Sequence, residues 1–238
     1  MTEREENATP VSWGHTRVTP PLRPADSYGV VLGLLVLTFV LSMSTGAGWM
    51  RSITSALTLA TLVTALLTSR VERRVMVLVI FLGSCAFGFQ VAAHFVNVPE
   101  LRGVGTLINA AMLAVLPLVV LGRVWRHETV TGETILGLLC VYVGLGSVFA
   151  LLFIGVDGIS QTSFFNQVSD PTSGDFYYFS FVTLTTLGFG DLTPAQGFGQ
   201  SLTVLEALMG QVFLVTVVAR GVSLLGGTTS VGGQRTSD

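Results

Sequence analysis

Six runs of roughly 20 residues pass without a fixed charge: Ser27–Met50, Ser52–Ser69, Val75–Pro99, Gly103–Gly122, Thr134–Val156 and Leu192–Ala219, the last broken only by Glu206. An apolar helix of about 20 residues spans the hydrocarbon core of a bilayer. Inside that core every backbone N–H and C=O must be paired within the protein, so runs of this length read as helices. The whole chain agrees: 50% of its 238 residues are hydrophobic and 11% are charged, against about 25% charged in soluble domains. The expected class is therefore an all-α membrane protein with six transmembrane helices. A formal net charge of −2 offers no electrostatic footprint for nucleic acid, and none is expected as a partner. Cys85 and Cys140 lie in separate apolar runs without metal-ligand spacing, so buried free thiols are the expectation. No cofactor is expected.

The arginines orient the runs, because positively charged connections stay on the cytoplasmic side. Arg4, Arg17, Arg23, Arg70, Arg73, Arg74, Arg123, Arg126, Arg220 and Arg235 fall on one side of a six-span arrangement, and Arg51 and Arg102 on the other. Both termini are thus expected in the cytoplasm of a multi-pass plasma-membrane protein. The first 26 residues are polar and lack the apolar core of a signal peptide. They read as a cytoplasmic tail. Residues 27–122 read as a four-helix domain, 123–132 as a basic interfacial linker, 133–221 as a second membrane domain and 222–238 as a disordered tail.

The second domain holds an anomaly. About 40 residues separate its two spans, long for a hairpin. Within them Phe176–Gly190 is uncharged but has only 15 residues. It is too short to cross as a helix, so it reads as re-entrant. Asp175 can cap the start of a short helix over 175–186. Then comes Thr185-Thr186-Leu187-Gly188-Phe189-Gly190-Asp191. Its glycines admit backbone angles that side chains forbid, so successive carbonyls can face one axis. Bare carbonyls at membrane depth are tolerated where they line a wet pathway. A desolvated cation suits them, and a cage around it needs several copies of the chain.

The run FYYFSFVTLTTLGFGDLTP, Phe176–Pro194, resembles the pore helix, filter and exit loop of the tetrameric potassium channels, whose filter reads T-x-G-[FY]-G-D. The chain looks like their six-span bacterial type with an uncharged fourth span. The resemblance covers residues 130–221; the first four spans match only in number and size. It implies a re-entrant pore helix (175–186), a selectivity-filter loop (186–191) and an inner helix (197–221) in a homotetrameric pore that binds permeant K+ in the lipid bilayer. In that likeness Thr186 supplies the innermost site through its carbonyl and hydroxyl, and Leu187, Gly188 and Phe189 supply the carbonyls above it. Thr185 and Gly190 flank these sites. Asp191 stands behind the filter as an acceptor for Tyr178. Phe189 replaces the commoner tyrosine and lacks its bracing hydroxyl. Val182 stands where some relatives carry a glutamate, which removes a carboxyl partner for Asp191.

Other positions bear on opening. Gly210, 19 residues beyond Asp191, sits where the family's inner helix bends; a glycine there also serves close helix packing. Glu206 is the only carboxylate within a span. It either senses pH or is held by hydroxyls such as those of Thr183 or Thr185 to brace the filter, the second being favoured. His94 and Gln90 share a helical face and read as hydrogen-bonded neighbours. Arg220 reads as a helix-end anchor. Gly103–Gly122 has no arginine or lysine, so voltage has no charge to move there. The expected function is passive, potassium-selective conduction without voltage gating. A non-selective cation channel of the same architecture and a membrane transporter subunit are the alternatives. No clustered nucleophile, metal set or acid–base pair suggests an enzyme.

Overall fold

The computed structural model describes residues 28–44, 48–68, 73–96, 99–124, 132–160, 162–195 and 197–226. The expected N-terminal tail, residues 227–238, most of the 123–132 linker and the side chains of Gln90, His94 and Arg220 lie outside what is described, whereas 222–226, expected as disordered tail, continue the last helix to Gly226. The described residues form eight helices: α1 (Tyr28–Ser44), α2 (Gly48–Thr68), α3 (Arg73–Val96), α4 (Pro99–Leu113), α5 (Val115–Val124), α6 (Gly132–Ile159), α7 (Ser173–Leu184) and α8 (Gly197–Gly226). No strand occurs among them; one isolated antiparallel bridge joins Phe165 and Pro194.

Three helical stretches are long and apolar enough to cross a membrane: 100–122, 132–159 and 197–217. Shorter apolar helices cover 28–43, 53–67 and 76–89. Helix ends differ from the charge-free runs in instructive ways. The first run, Ser27–Met50, contains both the end of α1 and the start of α2, because a helix boundary without charges is invisible to a count of charges. Arg51, read as part of a connection, belongs to the first turn of α2. The fourth run is two helices with a turn at Ala114. Pro117 accounts for the break: it has no N–H for the Leu113 carbonyl, and its ring crowds that carbonyl.

The first helices pack against one another in sequence order, and α4, α5 and α1 then lean on α6. Gly103 lies against Gly158 and Ile159, Leu107 against Gly155, and Leu116 against Gly144, so the α4–α5 rod runs antiparallel to α6. The chain's own first domain therefore sits directly on its own second domain. A core of buried side chains, including Val31, Leu62, Leu66, Leu116, Val120 and Val141, fills the space between them. Within it Asn109 donates to Ser55 at 2.7 Å, which satisfies a buried amide.

A second core is aromatic. Phe149 and Phe153 of α6, Phe164 and Phe165 of the following loop, and Phe176 and Phe179 of α7 are all buried together. Their rings meet mostly edge-on or tilted at 5.0–6.2 Å, the arrangement that ring quadrupoles favour. This cluster anchors the N-terminal half of α7 to α6. From the other side, Phe39 of α1 meets Phe181 at 4.7 Å and Tyr177 at 6.1 Å.

Candidate functional site

The site is built by how α7 starts, stops and hands the chain on. At its start Thr172 is the N-cap, with extended backbone (φ −83°, ψ 163°). Its hydroxyl accepts from the Asp175 amide, and the Asp175 carboxylate accepts from the Thr172 amide at 2.7 Å. This reciprocal capping box corrects the expectation that Asp175 is itself the cap. The helix begins two residues earlier than expected, because the acid belongs to the first turn.

At the other end all four terminal carbonyls find partners. Phe181 O accepts from the Thr185 amide (3.0 Å) and hydroxyl (2.6 Å). Thr183 O accepts from the Thr186 amide at 2.9 Å, and Val182 O from Leu187 at 2.9 Å and Gly188 at 3.4 Å. Leu184 O accepts from the Tyr142 hydroxyl of α6 at 3.2 Å. The 182–187 and 183–186 pairs form a Schellman motif, which requires a left-handed residue just past the helix. That residue is Thr186, with φ 60°. Glycine ordinarily fills such a place; a β-branched threonine there is strained. The strain is held by the surrounding hydrogen bonds.

Beyond Thr186 the left-handed conformation recurs at alternate residues, Gly188 (φ 56°) and Gly190 (φ 76°), but not at Leu187 or Phe189. Residues 185–191 are exposed; Leu187 is 61% and Phe189 65% accessible in a single chain. The segment runs back along α7. Ser180 of α7 meets Glu206 of α8, and Leu184 meets Gly210, so the two helices run in the same direction. The chain between them must retrace the full length of α7, about 18 Å for twelve residues. About five or six fully extended residues cover this, so the stretch from Thr185 to Ala195 does so with residues to spare for its turns.

The far end of the return is stitched to the loop before α7. Asn166 N donates to Thr193 O at 3.0 Å and Ala195 N to Phe164 O at 2.7 Å. The Gln167 amide side chain donates to the Thr193 hydroxyl at 2.7 Å and accepts from the Thr193 amide at 2.9 Å. Midway, the Tyr178 hydroxyl donates to the Asp191 carboxylate at 2.8 Å. That bond holds the Tyr178 phenol above its ordinary value, since the carboxylate favours the protonated partner. A cleft of about 330 Å³, with Tyr178, Val182, Thr186, Asp191, Thr203 and Ala207 on its walls, separates the segment from α8.

Behind α7, Glu206 is fully buried and meets the Ser180 hydroxyl. The expected partners were Thr183 or Thr185, but the α7 face turned to α8 is that of Ser180 and Leu184, and the Thr185 hydroxyl turns back to Phe181 O. Gly210 is buried, and α8 continues through it. A Cβ at this position would stand 2.6 Å from Leu184 O. On α6 a Cβ at Gly146 would stand 2.9 Å from the Phe181 ring and 3.2 Å from the Leu184 side chain. The helix is thus slotted between two glycine-bearing faces. Val182 contributes its carbonyl, as the anchor of Leu187 and Gly188, as well as its apolar side chain. Sequence reasoning passed over Ser180, Tyr142, Gly146 and Gln167. A hydroxyl in an apolar helix and a glycine in each flanking helix were the available signals.

Residues 137–226, nearly all of α6 through α8, match the family model described as Ion channel. No solved structure matches the chain. With its apolar helices, the match supports an ion channel embedded in a membrane.

Proposed function

We propose that four copies of this chain surround an axis and conduct potassium ions passively across the plasma membrane, with both termini cytoplasmic. The observation that carries this reading is the alternation of left-handed backbone at Thr186, Gly188 and Gly190 in an exposed segment hung between two anchors. Alternating handedness turns successive peptide planes so that their carbonyls share one side. A row of carbonyls from Thr186, Leu187, Gly188 and Phe189, with the Thr186 hydroxyl, can then replace the water around a cation of K+ size. One chain supplies one wall, and symmetry supplies the rest. Oligomer formation also answers the surface of α8. Its span is 11% buried in one chain, and Val204, Leu205, Leu208, Val212 and Val215 are exposed. Those that do not face lipid face other copies.

Purified protein in liposomes tests the reading. With potassium and sodium on opposite sides, the reversal potential is expected to follow the potassium gradient. A reversal potential indifferent to that gradient would refute potassium selectivity. Native mass spectrometry is expected to give four chains per particle.

A further inference from the structure

Glu206 presents a proton-counting problem. Its carboxyl is fully buried. One oxygen, Oε1, meets Ser180 Oγ, and the other, Oε2, has no hydrogen-bond partner among the described residues. Ser180 is also fully buried, and its Oγ stands 2.7 Å from the Gly146 carbonyl oxygen. A serine hydroxyl carries one proton. Here it faces two groups that accept, the carbonyl and the acid, and the carbonyl can only accept. If Glu206 were a carboxylate, one of the two contacts would be acceptor against acceptor. Its Oε2 would then be a buried, unpartnered anionic oxygen, the costliest kind of unsatisfied group. Both contacts are satisfied together when the proton on Oε1 goes to Ser180 Oγ and the serine proton goes to Gly146 O. Oε2 is then a carbonyl oxygen. Among the described residues, Tyr142 of α6 is a titratable group that faces the acid. It does not supply that proton, because its hydroxyl is given to Leu184 O.

We propose that Glu206 is a positioning residue in its neutral acid form, the head of a directed chain from α8 through Ser180 of α7 to the Gly146 carbonyl of α6. The chain crosses α7 one turn before Leu184, where the same helix is slotted between Gly146 and Gly210. It fixes the depth and rotation of α7, and with them the Val182 carbonyl from which Leu187 and Gly188 hang. Glu206 touches no ion; it acts through α7. The consequence for selectivity rests on the reading of 186–191 as a potassium filter, while the proton assignment stands apart from it.

Two measurements test the proposal. Infrared difference spectra of wild type and Glu206→Gln at neutral pH should show the C=O stretch of a protonated carboxyl that the variant lacks, and Ser180→Ala should shift that band. A difference containing only carboxylate bands would overturn the proposal. In liposomes, Glu206→Gln should keep the wild-type potassium-to-sodium permeability ratio, since its amide N–H can donate to Ser180 Oγ. Glu206→Ala and Ser180→Ala should each lower the ratio roughly tenfold, the effect of one lost buried hydrogen bond. A glutamine variant that falls as far as the alanine variant would also overturn it. A wild type without potassium selectivity would instead defeat the reading of the filter, and the infrared band would still decide the protonation.

Discussion

At the scale of single residues, the segment after α7 is defined by what Thr186 tolerates. A left-handed non-glycine residue costs about 1–2 kcal/mol, yet φ is 60° here. Thr186→Gly should remove that strain and leave thermal unfolding of the assembled protein no earlier than wild type, while potassium selectivity falls with the lost hydroxyl. Thr186→Val keeps the strain and loses the same hydroxyl, so equal loss of selectivity in both variants assigns the effect to the oxygen. Tyr178→Phe deletes the donor to Asp191 and leaves packing nearly unchanged. Its expected signature is a faster decline of current during sustained potassium flux, with unaltered assembly. A decline rate equal to wild type would show that the stitch at Gln167 and Thr193 is brace enough.

Among the helices, the seating of α7 decides most. Gly210→Ala places a methyl 2.6 Å from Leu184 O, and overpacking of this kind costs about 1–3 kcal/mol. The expected result is a lower unfolding temperature and fewer intact oligomers. If the variant instead kept its stability and altered only the open probability, bending of α8 would be the function of this glycine. Much of this element was legible in the sequence. The short apolar run and the T-T-L-G-F-G-D string point to a short helix followed by a glycine-bearing return, and α7 with left-handed Thr186, Gly188 and Gly190 stands there. Less legible was where its hydrogen bonds go. Thr172 and Asp175 form a box in which each bonds the other's amide, and from sequence alone the acid looks like the cap. Ser180 finds its partners 34 and 26 residues away, on helices whose rotation no local pattern fixes. The α1–α2 boundary escaped for a different reason: neither charge nor proline marks it.

For the whole molecule, the antiparallel seating of α4 and α5 on α6 lays the first domain against the second domain of the same chain. Its first domain touches α7 through Phe39, yet 103–122 carries no basic residue. At about 2.3 kcal/mol per charge per 100 mV, a sensor without charges does no work, so conductance should vary little over a range of 100 mV. A steep, saturating conductance–voltage curve would contradict this. The link from Gly146 to Ser180 to Glu206 also fixes a chronology. Its first two members are synthesised before the third, so α6 and α7 can be in the membrane when α8 emerges with an acid that hydrocarbon resists by a few kcal/mol. The last helix therefore enters beside a hydroxyl able to receive it. A chain shortened to remove α7 would leave α8 to enter beside α6 without the Ser180 hydroxyl to receive its acid, which makes folding of that span depend on the order of its birth.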